Sequence, residues 1–339
     1  MLCLLVVLSS IFMIGCNDDD SSNPQTVSNT ALKLRPIYLP TILEDKDIIL
    51  ELWVMDSTDA STLTSIDQFF WDDESYEFRN EYGFKRKDIF NLPKGKTTDD
   101  YNKMIISFEP YPDDSRAMSK SNLLSGPIIP VYPILHIEFD TSYMEASGSY
   151  FLSTITDYNL DRTTTSSHEP AGLWFMYFDP SEDFIFDNFE VGLNLPVLPD
   201  DYNMIYEAWV YKEGFSRPLS LGKFRNCAYR DFSNPYIDNK FAPLLPGEDF
   251  LYNEPSGFDF PLTLVADSHS DSTAVYITME PYPDPLPREP FPLILLSRNL
   301  PVISGAVPTP ENQTHVNMQL GNRYTTLPYI EVTRTAATK

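Results

Sequence analysis

The sequence predicts an all-β protein built as two tandem, related β-sandwich domains, and three observations carry that prediction. Glu109-Pro110-Tyr111-Pro112-Asp113 returns unchanged as Glu280-Pro281-Tyr282-Pro283-Asp284, at the centre of a longer self-similarity. Twenty-nine prolines are spread along the 339 residues, and each removes an amide donor and clashes with a preceding helical turn, so few windows admit a long helix. Apolar residues alternate with a period of two in short segments bounded by Pro, Asp, Asn and Gly clusters, which is the pattern of strands in a sandwich or barrel.

The marks of the duplication keep one order. Leu39-Pro40 precedes Trp53 at the same distance as Leu195-Pro196 precedes Trp209. Ser65-Ile66-Asp67-Gln68-Phe69 answers Ser220-Leu221-Gly222-Lys223-Phe224, and Tyr150-Phe151-Leu152-Ser153-Thr154 answers Tyr329-Ile330-Glu331-Val332-Thr333. Each copy is long enough for its own core. The expected division is a signal peptide over 1–15, a lipidated cysteine and tether over 16–30, a first domain over 31–156, a linker over 157–170 and a second domain over 171–335.

Taken in order, 48–54 reads as a strand with Ile48, Leu50, Leu52 and Val54 on one face and Ile49, Glu51 and Trp53 on the other. Its counterpart 204–210 sets Met204, Tyr206, Ala208 and Val210 against Ile205, Glu207 and Trp209. Apolar residues on both faces suit a strand in the middle of a packed sheet. Further strands are expected at 103–108, 128–135, 148–156, 172–178, 218–224, 274–279, 291–296, 314–320 and 326–333. The copies differ most before the shared pentapeptide, where the second is longer and contains Pro246-Gly247-Glu248-Asp249-Phe250 and Gly257-Phe258-Asp259-Phe260-Pro261. Loops of unequal length on a shared scaffold are where copy-specific function is expected.

Residues 2–13 form an apolar run too short to span a bilayer and suited to the core of a signal peptide. Met13-Ile14-Gly15-Cys16 resembles a bacterial lipobox, which implies acyl chains on Cys16 and anchorage to a membrane through them. Asn17-Asp18-Asp19-Asp20-Ser21-Ser22-Asn23-Pro24 reads as a flexible tether, and its acidic triplet looks like the surface-export signal of Bacteroidota-type lipoproteins. The expected location is the outer membrane, at the cell surface or facing the periplasm. With Cys3 in the signal and Cys16 lipidated, Cys227 alone remains, so the mature chain has no intrachain disulfide. A net charge of −25 argues against nucleic acid and against direct adhesion to anionic lipid, and leaves divalent cations, cationic proteins and neutral glycans as partners.

Gly172-Leu173-Trp174-Phe175-Met176, Tyr206-Glu207-Ala208-Trp209-Val210, Pro218 to Phe224, Pro246 to Phe250 and Met279 to Asp284 together resemble the extracytoplasmic C-terminal domain of anti-sigma-K factors. The resemblance covers about 171–335 well and 31–156 more weakly. Copy one departs from it, with Asp67-Gln68 in place of Gly222-Lys223 and no counterpart of the Pro-Gly-Glu-Asp-Phe loop. It implies an extracytoplasmic β-sandwich without known catalysis. Sigma-factor control is not carried over, since the chain has neither a sigma-binding helical domain nor a membrane helix before this module.

Glu109 with Asp113, and Glu280 with Asp284, are candidates for paired acid/base carboxylates. The stronger reading is structural, with prolines stiffening a strand end and the carboxylates capping turn amides. A motif present in both copies serves the shared scaffold. Trp53 and Trp209 read as core residues whose indole N–H groups reach Glu51 or Glu207. Candidate contacts to a glycan or protein are the loop aromatics Trp71, Tyr76, Tyr229, Tyr236 and Phe250. His136, His168, His269 and His315 stand apart, with no zinc-type spacing. Asp72-Asp73-Glu74, Asp99-Asp100 and Asp113-Asp114 offer oxygen ligands for calcium without a helix–loop–helix site. The expectation is a non-catalytic, lipid-anchored binding or assembly module of the cell envelope, with a glycan- or nutrient-binding surface lipoprotein as the alternative.

Overall fold

The computed structural model describes residues 29–338 apart from 44, 46, 114–116, 158–170, 179–188, 234, 238–242, 266–273, 285 and 301–316. The expected signal segment, Cys16, nearly all of the tether and the linker, and His168, His269 and His315 lie outside the described residues. The strands of the first half are β1 Ala31–Ile37, β2 Ile48–Asp56, β3 Leu63–Asp72, β4 Glu77–Arg79, β5 Lys85–Arg86, β6 Ile89–Asn91, β7 Tyr101–Pro110, β8 Asn122–Pro127, β9 Ile134–Phe139 and β10 Ser147–Leu152. Those of the second are β11 Gly172–Trp174, β12 Met176–Phe178, β13 Phe189–Val191, β14 Leu193–Asn194, β15 Met204–Tyr211, β16 Leu219–Phe224, β17 Gly247–Asp249, β18 Ala274–Pro281, β19 Ile294–Asn299, β20 Met318–Asn322 and β21 Tyr329–Thr335. Among the described residues the helical elements are short 3-10 turns, and no helix is long and apolar enough to cross a membrane.

The protein is all-β, and its two large sheets repeat one strand order. The first runs β5-β4-β3-β2-β7-β8-β9-β21-β1-β6 and the second β16-β15-β18-β19-β20-β10-β11-β17, with β14 beside β10. Matching β3-β2-β7-β8-β9 to β16-β15-β18-β19-β20 and β1 to β11 leaves one position inside the matched order of each sheet. In both, that position is filled by the last strand of the other copy. β21 lies between β9 and β1, with Ile330 opposite Ile137 and Pro36. β10 lies between β20 and β11, with Tyr150 opposite Met318 and Phe151 opposite Trp174.

The sheets therefore do not follow the copies expected from the sequence, because β10, within 31–156, completes the second sheet and β21, within 171–335, completes the first. The connections that cross are short, each containing one 3-10 turn, at Thr141–Tyr143 and Tyr324–Thr326. Asn322 ties them together, its Nδ2 donating to the carbonyls of Tyr143, Met144 and Ala146 at 3.1, 3.0 and 2.7 Å. Tyr324 adds a bond from its hydroxyl to Phe139 O at 3.2 Å.

β2 and β15 are buried along nearly their whole length, as alternation with apolar residues on both faces requires. One continuous hydrophobic core draws on both sheets. Phe108 meets Phe291 edge to face at 5.5 Å, and the hydroxyls of Tyr143 and Tyr206 share a hydrogen bond of 2.8 Å. A smaller cluster of Phe151, Ile155, Trp174, Met176 and Ile237 lies apart from it. The expected strand at 128–135 is displaced, because Pro127, Pro130 and Pro133 supply no donors. Pairing stops with β8 and resumes at Ile134.

Candidate functional site

The shared motif residues converge on two equivalent carboxylate clusters. In each copy the buried middle strand has the same neighbours in the same register. Glu51 faces Gln68 on one side and Ser107 on the other. Glu207 faces Lys223 and Thr278. A bulge interrupts both outer pairings, between Leu52 and Trp53 and between Ala208 and Trp209, leaving Ile66 and Leu221 without a partner opposite. One extra residue reverses the alternation, so Ser65 and Gln68, three apart, both reach Glu51, as Ser220 and Lys223 both reach Glu207.

The contacts repeat in detail. Trp53 Nε1 donates to Ser107 Oγ at 2.9 Å and Trp209 Nε1 to Thr278 Oγ1 at 3.0 Å. Those hydroxyls donate in turn to Glu109 and Glu280. Each of these carboxylates also accepts a backbone amide with both oxygens, from Ser119 at 3.0 Å and from Phe291 at 2.9 and 3.0 Å. The indole N–H groups thus go to Ser107 and Thr278 rather than to Glu51 and Glu207, since those hydroxyls lie on the neighbouring strand. The Tyr111-Pro112 and Tyr282-Pro283 peptides are cis in both copies. Beyond them Asp113 and Asp284 return to the clusters. In each trio, Glu51, Glu109 and Asp113 or Glu207, Glu280 and Asp284, one oxygen per residue lies within 4.8 Å of the others.

The copies differ at one position that governs the charge. Lys223 Nζ sits between Glu207, at 2.6 Å, and Asp284. In copy one, Gln68 Nε2 takes the same place with hydrogen bonds of 3.1 Å to Glu51 and 2.9 Å to Asp113. Burial pushes the Glu207 carboxyl up against the pull of Lys223. Burial pushes the Lys223 ammonium down, yet Glu207 and Asp284 together hold it above the ordinary lysine value. Burial raises Glu51 and Glu109, and takes Glu280 up to about 8.

Chemically, the second cluster holds the Lys223 ammonium within the sheet, and the first holds the neutral Gln68 amide in its place. Glu109 and Glu280 are each 1 % exposed and closed over by their own hydrogen bonds, so they do not line an open cleft as an acid/base pair requires. Asp284 caps the amide of Leu286 at 2.7 Å. The aspartates considered for calcium have local partners. Asp72 caps the amides of Glu74 and Ser75 and meets Arg79 at 3.0 Å, while Asp100 caps Thr97 at 2.7 Å. His136 lies 3.6 Å from Glu138 and edge-on to Tyr329.

The five candidate contact aromatics separate. Trp71 is buried with its N–H on Leu39 O at 3.0 Å, and Phe250 is buried against Tyr236 and Phe260. Both are core residues, because the loops around them fold back on the sheets. Tyr236 is half-buried in that group, whereas Tyr76 and Tyr229 are exposed.

A second buried acidic group was not legible from the motifs. Glu248 is wholly buried, among the described residues neither carboxylate oxygen makes a hydrogen bond of good geometry, and burial together with Asp231 and Asp249 takes its carboxyl up to about 10. Asp249 points to the other face of β17 and accepts Trp174 Nε1 at 2.6 Å and the Thr156 amide at 2.7 Å. Asp231, taken up to about 7 by burial, accepts the amides of Ser233 and Gly247. The Pro-Gly-Glu-Asp-Phe segment marked this place in the sequence, but nothing in it distinguished an inward Glu from an exposed one.

Fold and site define a duplicated all-β protein whose two units carry the same carboxylate cluster beside a buried central strand. No family model matches the chain, and neither does any curated protein or solved structure.

Proposed function

We propose that the chain is a lipid-anchored protein of the bacterial cell envelope, a binding or assembly module without catalysis, related to the extracytoplasmic domain of anti-sigma-K factors. The observation that supports it most is the use made of the repeated motif. Glu109 and Glu280 serve the same internal hydrogen-bond chain in both copies, from indole to hydroxyl to carboxylate to backbone amide. Carboxylates engaged twice in the same way belong to the scaffold, and the parts free to differ are the loops. Lipid on Cys16 holds the module at the membrane, and the acidic tether gives it reach.

Crosslinking in cells followed by mass spectrometry, comparing the wild type with Cys16→Ala, tests this reading. The expected result is a specific envelope protein recovered from the anchored form alone. Recovery of the same background from both forms sinks it.

One observation favours glycan capture as a second reading. Tyr76, Tyr82 and Phe84 are 77, 72 and 70 % exposed at and beside the short strands β4 and β5. Exposed aromatic rings suit stacking on sugar faces. Loss of glycan-array binding on a combined Tyr76→Ala, Tyr82→Ala and Phe84→Ala change is the expected outcome under this alternative, and unchanged or absent binding rejects it.

A further inference from the structure

We propose that the loop between β8 and β9 is a membrane contact, an apolar tip that enters the headgroup region of the bilayer to which Cys16 is anchored. This rests on the lipid-anchored reading and adds the face that meets the lipid. Pro130, Val131, Tyr132, Pro133 and Ile134 are five consecutive apolar residues, and all five are exposed. Val131 is 80 % exposed, Tyr132 54 % and Ile134 52 %. No charged residue stands between Lys120 and His136, in a chain of net charge −25. Loop tips that face water are polar, and a run of exposed apolar residues marks a surface meant for contact. The tip is also held in shape. Ile128 and Leu135 on either side are buried and Ile129 packs against the core. Tyr132 N donates to Ile129 O at 3.1 Å, Arg334 Nη2 donates to Tyr132 O at 2.8 Å, and the two prolines fix the backbone between. A tip already ordered gives up little freedom on insertion.

The place where the chain enters the fold says what covers this tip. Across three neighbouring strands Ile134 of β9 faces Thr333 of β21, which faces Lys33 of β1. Two strand spacings, about 10 Å, separate Lys33 from Ile134. Ala31, which begins β1, lies two residues beyond Lys33 toward the end from which the tip projects. Thr98 N donates to Asn29 O at 2.9 Å and fixes the entry there. The 13 residues from Cys16 to Ser28 span at most about 45 Å, so a lipid on Cys16 keeps this end of the first sheet, and not another, beside the bilayer. Tyr132 has the apolar ring and polar hydroxyl that favour the membrane–water boundary. The charges nearest the tip are paired, Lys33 with Asp88 and Arg334 with Asp99. A neutral apolar tip on an acidic chain suits zwitterionic headgroups, since anionic ones repel the rest of the molecule.

The test uses the mature chain, residues 16–339, coupled through the Cys16 thiol to a maleimide lipid in phosphatidylcholine vesicles. Cys227 is buried, which holds its thiol protonated and out of reach of the reagent. Trp53, Trp71, Trp174 and Trp209 are buried as well, so the added emission of Tyr132→Trp reports on the tip. The expected result is quenching of that emission by phosphatidylcholine brominated on its acyl chains. Adding Val131→Asp and Ile134→Asp to the reporter should lower the insertion equilibrium, read from the quenching, by about tenfold or more. Val131→Ser with Ile134→Ser should act in the same direction should the aspartates disturb the fold. No quenching in the coupled chain overturns the proposal, and so does quenching that both pairs of substitutions leave unchanged. Dimerisation of the uncoupled chain that these substitutions abolish, without quenching in vesicles, assigns the tip to a second copy instead and overturns it too. Acylation of Cys16 is read separately, by mass spectrometry of the chain isolated from a host that processes lipoproteins. An unmodified Cys16 together with a quenched tip removes the native anchor and supports the membrane contact.

Discussion

Removing the Lys223 ammonium while keeping its stem, as in Lys223→Met, strikes the second cluster where its charges are most confined. Glu207 is 1 % exposed, and the Lys223 side chain is 20 % exposed. Taking away one partner of such a pair leaves an uncompensated buried charge, which costs about 3 to 5 kcal/mol. The place of the Lys223 side chain, 20 % exposed, admits some water, so the low end applies, about 3 kcal/mol at pH 8.

The loss must depend on pH. Burial already raises the Glu207 carboxyl above its unfolded value, and without Lys223 it rises further. A group that binds its proton more tightly when folded supports the fold at acid pH, and that support disappears as pH climbs through the folded pKa. Near pH 5 the variant accepts a proton on Glu207 in place of the ammonium, and the loss shrinks to about 1 kcal/mol or less. Urea unfolding at pH 5 and pH 8 measures both, and at about 2 to 4 °C per kcal/mol the thermal midpoint at pH 8 should fall by roughly 6 to 12 °C. Adding Glu207→Gln should recover most of the loss at pH 8. Equal losses at the two pH values, or a loss below about 1 kcal/mol at pH 8, would refute the reasoning.

Three further outcomes are expected. Burial takes Asp231 up to about 7, Glu280 to about 8 and Glu248 to about 10, so the native state holds more protons than the unfolded chain from about pH 4.5 upward and stability should fall toward alkaline pH by up to about 1.4 kcal/mol per unit for each group; Glu248→Gln should flatten the unfolding profile, and an unaltered slope speaks against the assignment. Gly222 has φ +111, and a Cβ there would lie 2.5 Å from Asp231 Cγ, a buried side chain, so Gly222→Ala should cost about 2 kcal/mol or more by urea unfolding, and a neutral result contradicts the packing. A protease site placed in 158–170 and cut in the full chain should leave two halves that co-elute under native conditions and part only in denaturant, because each half completes the other's sheet; separation in native buffer refutes the strand exchange.

Much of this molecule is local enough to read from residues in order. The period of two in Ile48–Val54 and Met204–Val210 fixes two strands buried on both faces, and the prolines keep helices out. The repeated pentapeptide fixes the duplication, and its prolines and carboxylates mark a strand end with capped amides. In the structure Glu109 and Glu280 accept the backbone amides of Ser119 and Phe291. Among the strands not expected, β4 to β6, β13, β14 and β17 are only two or three residues long, too short to carry a periodic signal, whereas β1, β3 and β8, of six to ten residues, were not expected either.

What the tertiary structure alone decided is which strand completes which sheet and which side chains share a cluster. β10 and β21 match in sequence, and either sheet offers them a similar slot, so their alternation is equally satisfied at home or exchanged. The choice is made by the short crossings that Asn322 pins together, which are contacts between residues far apart in the chain. Likewise the spacing of Ser65 and Gln68 places them on opposite faces of a regular strand, and only the bulge turns both toward Glu51. Alternation determines which residues are buried, but hydrogen bonds between distant strands determine what they are buried against.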